Sequence, residues 1–430
     1  MLVLALLVVP GPVGLARPAA AATIIPSTAA ERAELARWWA PVHFQDVDTS
    51  GETSEGGKSD YLTSYDFDGD LNGRNNWENI TEYPLAAHVY YSVVQTRRFS
   101  YLFYGYFHPR DWADAALDDY EEDLSEHEND LEGALVVVAN DGSEYGTLKA
   151  VITVAHSNFY SYTPDGSDFT SGNEDVDGRI SLRDDNPHDE VRHERPWTAQ
   201  QAGTHAAWAM GADRKPSPDL DDQYRNGDGI LYFPGDTAEV PSGPNDRDVQ
   251  YKLVDIFAEN GMWENRFLTT LFATTDNFAG DDSDNPYGAA CGEGGVAGPA
   301  HGECHTDAAS APWALDDSDD GPGKGYIATN PAELVHDYFD WPGEPDSPDL
   351  DYTWNAYNGI TPPDPPTSNG GLGDPMEAHA GGDDGGVKPP TGAHHTCRPD
   401  GMPPTPNVDT PYCDVYDSEG REWLGEGRTR

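Results

Sequence analysis

Short strand-like runs rich in Val, Tyr and other apolar residues, between clusters of Gly, Asn, Asp and Pro, most limit how this chain can fold. Such runs are typical of β-strands. Two of them, Glu132 to Ala139 and Thr147 to His156, flank Asn140-Asp141-Gly142-Ser143, a strong signal for a hairpin turn. Strands that pair with their sequence neighbours predict an all-β fold with minor helices, namely an antiparallel β-sandwich with long acidic loops.

The spacing of apolar residues predicts a few helices and further strands. Helical spacing is confined to residues 28–40, where Thr28 or Ser27 can cap, to a stretch near 262–273, and to 331–339, where Pro331 suits a first turn. The remaining predicted strands run from Ala86 to Gln95, Phe99 to Phe107, Arg195 to Gln200, Gly229 to Phe233 and Gln250 to Phe257.

Composition shifts divide the chain into four parts. Residues 1–22 hold an apolar run and an Ala-rich segment typical of a signal peptide, which predicts a secreted protein. That run is too short to span a bilayer, and no transmembrane segment is expected elsewhere. Residues 23–360 carry the predicted β-sandwich. Residues 361–390 are predicted to form a disordered Pro/Gly/Asp linker, and residues 391–430 a small appendage.

The net charge of -52 limits the partners of the chain. Its long-range field repels nucleic acid and anionic membranes, so neither is expected as a generic electrostatic partner. Two interpretations of the acidity stay open. One is adaptation to high salt or plain solubility, and the other is a set of Ca²⁺ sites that neutralise part of the charge.

The 4 cysteines fit an oxidising compartment. Cys291 and Cys304 flank a glycine-rich loop, and Cys397 and Cys413 flank a proline-rich one, so two local disulfides are the preferred interpretation. Zinc is the alternative because His residues adjoin Cys304 and Cys397, although the spacings match no zinc signature.

A candidate metal site lies at the start of the predicted strand before the hairpin turn. Asp130 and Glu132 are two residues apart, so their side chains share one face of an extended chain, and His127 precedes them by one turn. An imidazole and two carboxylates suit a divalent cation such as Ca²⁺ or Mg²⁺. A solvated acidic loop is the alternative.

If that ion were catalytic, the site would need a base and an anion clamp. His108 or His205 would supply the base, and Arg110 the clamp. Each has a structural alternative: Arg110 as an ion-pair partner of Asp111 or the acidic loop, and His205 as a buried hydrogen-bonded residue. The sequence contains no Gly-x-Ser-x-Gly motif, so a serine nucleophile is not supported.

Two loops show the alternating oxygen ligands of calcium sites. The first ends in Asp where such loops usually have Glu, and the second has its Gly misplaced. Their candidate ligands are Asn173, Asp175, Asp177 and Asp184 in the first loop, and Asp66, Asp68 and Asp70 in the second.

The pattern His127-x-x-Asp130-x-Glu132 at the entrance to a strand resembles the Gly-His-Arg-His-Asp-Trp-Glu heptad of the necrosis- and ethylene-inducing-peptide-like proteins. In that secreted cytolysin family the first His, the Asp and the Glu hold a divalent cation on a β-sandwich. Carried over by position, the resemblance implies that His127, Asp130 and Glu132 are ligands. A further Asp upstream in the family implies Asp118 or Asp119.

The heptad is incomplete, since Glu126, Asn129 and Leu131 replace the family's Gly, second His and Trp. A second resemblance, carried by Tyr106 to Trp112 and by Gly203-Thr204-His205-Ala206, is to the vacuolar-protein-sorting-like family of plants, fungi and bacteria. The resemblances span residues 36 to 360 and do not imply toxicity.

Together these features predict a secreted, divalent-metal-binding β-sandwich protein that recognises a membrane lipid head group or a surface glycan. One alternative is an extracellular metal-dependent hydrolase of a phosphodiester or lipid ester that uses the same ion. The other is a calcium-stabilised structural surface protein.

Overall fold

The computed structural model describes most of the chain up to residue 360 and two short segments beyond it. The predicted signal peptide and the linker lie outside the described residues. Within the described ranges, no helix is both long enough and apolar enough to cross a bilayer. These ranges are residues 26, 28–49, 54–112, 127–212, 229–280, 296–298, 303–305, 307–318, 321–342, 349–360, 394–397 and 413–416.

Helices are short and their sequence signals are local. Helix α1 (Ala29–Trp39) begins after Thr28, whose hydroxyl accepts a hydrogen bond from the Glu31 backbone N–H, and the Glu31 carboxylate accepts one from the Thr28 N–H. This capping box confirms the predicted helix start. The other helices are α2 (Asn76–Asn79), α3 (Tyr326–Thr329) and α4 (Pro331–Tyr338), with a 3₁₀ segment at Glu55–Asp60.

The helical spacing near residues 262–273 is misleading, because this stretch forms consecutive turns instead of a helix. Its backbone bonds mix two spacings: Leu268 N–H donates to Asn265 O, whereas Phe272 N–H donates to Leu268 O. Met262, Leu271 and Phe272 each reach the core from these turns. Tertiary packing of the apolar residues therefore overrides the local pattern.

Strands dominate the fold. They are β1 (Val42–Gln45), β2 (His88–Gln95), β3 (Phe99–Asp111), β4 (His127–Ala139), β5 (Thr147–Ala155), β6 (Asn158–Thr163), β7 (Thr170–Ser171), β8 (Gly178–Arg179), β9 (Leu182–Arg183), β10 (Arg195–Gln200), β11 (Ala207–Ala209), β12 (Ile230–Gly235), β13 (Val249–Asp255), β14 (Asn277–Ala279), β15 (Val296–Gly298), β16 (Glu303–His305), β17 (Asp307–Ser310), β18 (Phe339–Asp340), β19 (Trp354–Asn355), β20 (His394–Cys397) and β21 (Cys413–Tyr416).

The main sheet has 13 strands in the order β11-β10-β1-β12-β13-β2-β3-β4-β5-β6-β8, with β19 beside β2 and β9 beside β10. The fold is mostly β, as predicted, but the sheet is mixed, so the expectation of a purely antiparallel arrangement is wrong. Four strand pairs are parallel: β1 with β10, β12 with β13, β13 with β2, and β6 with β8. Parallel neighbours need long crossovers, which hairpin signals in a sequence do not reveal.

The β3–β4 hairpin is buried on both faces. Tyr101, Phe103 and Phe107 belong to one apolar core, whereas Tyr104 and Tyr106 belong to a second core on the opposite face. The alternation is the period of two that strand geometry imposes.

The sheet curls so that its β10–β11 end packs across the second core. The Thr153 hydroxyl of β5 donates to Ala207 O of β11 at 2.8 Å, and the Tyr106 hydroxyl of β3 lies 3.0 Å from the Thr198 hydroxyl of β10. Side chains near the end of β3 and the start of β4 therefore face the loop between β10 and β11.

Gly133 is required at the centre of this hairpin. It pairs with Gly105 across the ladder, and a Cβ there would lie 2.6 Å from Tyr104 O and 2.7 Å from the Phe103 ring. We expect Gly133→Ala to lower the free energy of unfolding by about 1–3 kcal/mol through overpacking. Urea unfolding measures this change.

Gly243→Ala is the matched control, because a Cβ at Gly243 meets no atom within 4 Å. Its unfolding free energy should stay within about 0.5 kcal/mol of the native value. Equal effects of the two substitutions would contradict the packing described for the hairpin.

Candidate functional site

Three metal-ligating side chains converge at the end of β3 and the start of β4, where the chain passes from one strand of the hairpin to the other. Asp111, His127 and Asp130 each offer one ligand atom within 4.8 Å of the others, and within the described residues no other group of three or more His, Cys, Asp or Glu side chains does so. Asp111 ends β3 and lies directly opposite His127 in the ladder. Two carboxylates and a neutral imidazole match the charge and donor set of a divalent cation.

The tautomer of His127 suits metal binding. Its Nδ1 lies 3.0 Å from the backbone oxygen of Glu128, and a carbonyl only accepts, so Nδ1 carries the proton. In the neutral ring this tautomer leaves the Nε2 lone pair for an ion, and Nε2 lies 3.5 Å from the Asp111 carboxylate. A metal-binding imidazole that is held through its other nitrogen by a backbone carbonyl is a recurring arrangement. The His127 side chain keeps 23% exposure.

The Asp130 carboxylate is hydrogen-bonded to a buried histidine, His205. His205 Nδ1 lies 2.9 Å from Asp130 Oδ2, and its Nε2 lies 3.2 Å from Asp60 Oδ1. Burial lowers the pKa of His205, but the hydrogen bonds to the two carboxylates outweigh burial and raise that pKa to about 9. His205 is therefore an imidazolium at neutral pH that donates from both nitrogens.

The contact with His205 also sets the ionisation of the Asp130 carboxyl. Burial alone would raise the pKa of its carboxyl, but the hydrogen bond and positive charge of His205 lower the pKa below its ordinary value. Asp130 is thus kept as a carboxylate, the form that binds a cation.

Asp60 anchors the other end of this network. It is fully buried, and its Oδ1 accepts from Trp112 Nε1 and Gly203 N–H at 2.8 Å each, in addition to His205. Its Oδ2 accepts from Asp48 N–H at 3.0 Å. This role of Asp60 was not predicted, because Asp60 lies 145 positions from its imidazole partner.

His108 lies beneath His205 and is sealed from solvent. The two rings stack at 3.7 Å between centroids with 5° between planes. Burial and the neighbouring His205 charge hold the pKa of His108 well below its usual range. Its Nε2 lies 3.2 Å from Gln200 Oε1. A neutral ring is the state that can stack on an imidazolium without charge repulsion.

Arg110 is buried within the fold. Its Nη2 donates to Trp77 O at 2.7 Å, and its guanidinium carbon lies 3.8 Å from the centroid of the Trp77 ring. Trp77 N–H in turn donates to Glu128 Oε1 at 2.8 Å. Arg110 therefore fastens α2 to the hairpin.

Glu132 lies on the same strand as Asp130 but is not part of the three-residue group. Its Oε1 accepts from His156 N–H at 2.8 Å, and its buried Oε2 has no hydrogen-bond partner among the described residues. Burial and the charge of Asp130 raise the pKa of Glu132 well above its usual range. Asp119, the other predicted ligand, lies outside the described residues, as does Asp118.

Two non-glycine residues beside the site have positive φ: Asn129 (54°) and His205 (53°). Such conformations are uncommon and persist where surrounding contacts fix them. The Asn129 amide donates to Gly73 O at 2.6 Å and to Ala279 O at 2.7 Å, and Gln200 Nε2 donates to His205 O at 2.7 Å. Hydrogen bonds thus fix the backbone on both sides of Asp130.

The first predicted calcium loop lies beside β8. Asp177 Oδ2 accepts from Ser161 N–H at 2.8 Å, and Asn173 Nδ2 donates to Asp337 Oδ1 at 2.6 Å. Asp175 and Asp184 are exposed.

In the second predicted calcium loop, Asp68 and Asp70 accept from the backbone N–H two residues on, at 3.1 and 2.8 Å, and Asp66 is exposed. Such turns hold a loop through protein contacts alone. Calcium binding stays a prediction for both loops.

The cysteines are only partly described. Cys397 and Cys413 lie directly opposite each other in the β20–β21 ladder. Cys304 lies in β16, and Cys291 lies outside the described residues. Both disulfides, and the zinc alternative, stay predictions.

No protein-family model and no curated protein matches the chain. Similar solved structures include the non-toxic HaNLP3 protein, with 13% identity over 53% of this chain and 77% of that one at a TM-score of 0.24. Another is Necrosis and Ethylene inducing Protein 2 from the causal agent of cocoa's Witches Broom disease, with 14% identity over 46% of this chain and 76% of that one at a TM-score of 0.22. A third is NLPPya in complex with glucosamine, with 12% identity over 53% of this chain and 76% of that one at a TM-score of 0.24.

These structures come from the group named by the first sequence resemblance. Their TM-scores are too low for the similarity to assign a fold or a function to this chain. The resemblance to the vacuolar-protein-sorting-like family gains no support from them.

Asp60→Asn tests the buried network. The substitution replaces an oxygen acceptor with an NH₂ group facing donors and leaves the His205 charge half paired. Breaking a buried pair in this way should cost about 3–5 kcal/mol of unfolding free energy. Urea unfolding in the presence of chelator measures it.

Asp236→Asn is the control, because the Asp236 side chain is 99% exposed. It should leave the midpoint of the urea transition nearly unchanged. An Asp60→Asn protein as stable as this control would show that the network does not hold the fold.

Proposed function

We propose that this chain is a secreted protein that binds one divalent cation, Ca²⁺ or Mg²⁺, through Asp111, His127 and Asp130. The ion recognises an anionic lipid head group or the hydroxyls of a surface glycan. The observation that carries the proposal is the convergence of the three ligand atoms at the end of β3 and the start of β4. Partial exposure of His127 leaves the ion a side from which an outside ligand approaches.

The surroundings of the three side chains support an ion at this position. His127 presents its Nε2 lone pair, and Asp130 is kept ionised by His205. Two carboxylates in a mostly buried position repel each other unless a cation or proton lies between them. Glu132, whose buried Oε2 has no hydrogen-bond partner in the described part of the chain, is a further ligand if its carboxyl loses its proton on metal binding.

Binding is favoured over hydrolysis because the side chains proposed for catalysis are committed elsewhere. A general base needs a lone pair within reach of the substrate. His205 donates from both nitrogens and is fully buried, and His108 is buried beneath it. Arg110 is buried against Trp77. The hydrolase alternative therefore lacks an accessible base and anion clamp among His108, His205 and Arg110.

The charge of the chain explains why a metal would be needed. With a net charge of -52, the protein repels anionic head groups at long range. A cation held between protein carboxylates and a phosphate or hydroxyl ligand replaces that repulsion with direct coordination. Binding should accordingly depend on the ion and not on a basic patch.

His127→Ala tests the metal site. We expect the variant to lose one equivalent of bound Ca²⁺ or Mg²⁺, because it removes the nitrogen ligand at the exposed edge. Elemental analysis after equilibrium dialysis against each metal gives the stoichiometry. His188→Ala is the control, since His188 pairs with Asp248 away from the site. Equal metal content in the native protein and the His127→Ala variant would refute the site.

Ligand binding is measured with the same pair of variants. The probes are vesicles carrying phosphorylated head groups and a glycan array that includes glucosamine, each with and without chelator. We expect the native protein to bind one of these probes in a chelator-sensitive way. The His188→Ala variant should keep this binding, and the His127→Ala variant should lose it. Binding that survives chelator would separate recognition from the ion and contradict the proposed function.

Calcium-stabilised loops are a separate proposal for this chain, tested at Asp175. Asp175→Asn removes one charged oxygen from an exposed position in the first predicted loop. If the loop binds Ca²⁺, ion at a hundredfold excess over its Kd stabilises the native chain by about 2.7 kcal/mol, and the variant loses part of this. Calorimetric melting in Ca²⁺ and in chelator separates the two states. An identical shift in both would exclude a calcium role for Asp175.

A further inference from the structure

A cavity of about 460 Å³ lies where β2 begins and β13 ends. Loops at residues 64–67 and 258–261 complete its walls. Its size falls within the usual range of small-molecule sites. None of its lining residues belongs to the Asp111/His127/Asp130 group. The aromatic and ionisable lining residues are Tyr65, Asp66, Phe67, His88, Tyr90 and Glu259.

The charged groups of this cavity are all of one sign. Asp66 and Glu259 are both exposed, one on each of the two loops. Among the described residues that line the cavity, none is Lys or Arg. Two carboxylates on opposing loops create a local negative potential that favours a cation over an anion.

His88 adds a hydrogen-bond acceptor. Its Nδ1 lies 2.9 Å from Ala86 O, so Nδ1 carries the proton and Nε2 keeps its lone pair. Burial lowers the pKa of His88 and outweighs the hydrogen bond to Ala86 O and the charge of Asp66, which raise it. The imidazole is therefore neutral at pH 7, and it offers an acceptor instead of a competing positive charge.

Aromatic rings form a fixed wall of the cavity. The rings of Tyr65 and Tyr90 stack with centroids 5.5 Å apart. The Tyr90 hydroxyl accepts from Tyr65 N–H at 3.1 Å, and the Tyr65 hydroxyl donates to Asn260 O at 3.4 Å. These hydrogen bonds hold the two rings in place before any ligand arrives.

We propose that this cavity binds an organic cation, namely a primary ammonium or guanidinium group on an apolar stem. The carboxylates of Asp66 and Glu259 and the His88 Nε2 accept from the cationic head. Apolar side chains in the lining, which include Pro84, Val254 and Ala258, contact the stem. A lysine or arginine side chain of a peptide and a free polyamine share this chemistry.

Calorimetric titration of the full chain with butylammonium tests the proposal, with 1-butanol as the neutral ligand of equal stem length. The buffer contains chelator, because Asp66 also belongs to a predicted calcium loop. We expect saturable binding of butylammonium and none of 1-butanol. Equal binding of both would show an apolar cavity only, and no saturable binding of butylammonium would refute the site.

The variant Asp66→Asn with Glu259→Gln should weaken butylammonium binding by about tenfold, because it removes both carboxylates that attract the ammonium group. The matched control is Asp236→Asn with Glu190→Gln, which removes two exposed carboxylates elsewhere. Equal affinities of the two double variants would overturn the proposal. All four positions are exposed, so both variants should fold.

Two further arms complete the experiment. Acetyl-lysine amide and spermidine replace butylammonium to distinguish a peptide side chain from a free polyamine. His127→Ala should bind butylammonium as the native chain does, since the cavity shares no residue with the metal site. Loss of binding in His127→Ala would mean that the cation does not bind in this cavity.

Discussion

The imidazolium of His205, held between the carboxylates of Asp60 and Asp130, joins three segments that lie far apart in the sequence. Asp60 ends the 3₁₀ segment, Asp130 lies near the start of β4, and His205 lies in the loop after β10. A buried charge without its partners costs several kcal/mol. The network therefore requires the curled sheet to close, because only then do the three groups meet.

The candidate metal site depends on that closure. Asp130 serves two groups at once, since it accepts from His205 and lies within reach of Asp111 and His127. Its orientation is thus set by a buried partner before any ion arrives, an arrangement that raises metal affinity by reducing the cost of ordering the ligands. The same hydrogen bonds use both nitrogens of His205, which is why they support a binding role for the site over a hydrolytic one.

Local features were predictable from the sequence and long-range ones were not. The capping box at Thr28, Pro331 at the start of α4, and the β4–β5 hairpin all depend on residues within a few positions of one another. Asp111 could have been found from the ladder register, because it pairs with His127 across the hairpin. Asp60 and the parallel pairing of β1 with β10 could not, since their partners lie far along the chain.

The central claim is that Asp111, His127 and Asp130 bind one divalent ion. A crystal of the protein grown with Mn²⁺ and measured at the manganese absorption edge tests it most directly. We expect an anomalous difference peak bounded by the two carboxylates and the His127 Nε2. Anomalous peaks at other positions only, with none between these three side chains at saturating Mn²⁺, would contradict it.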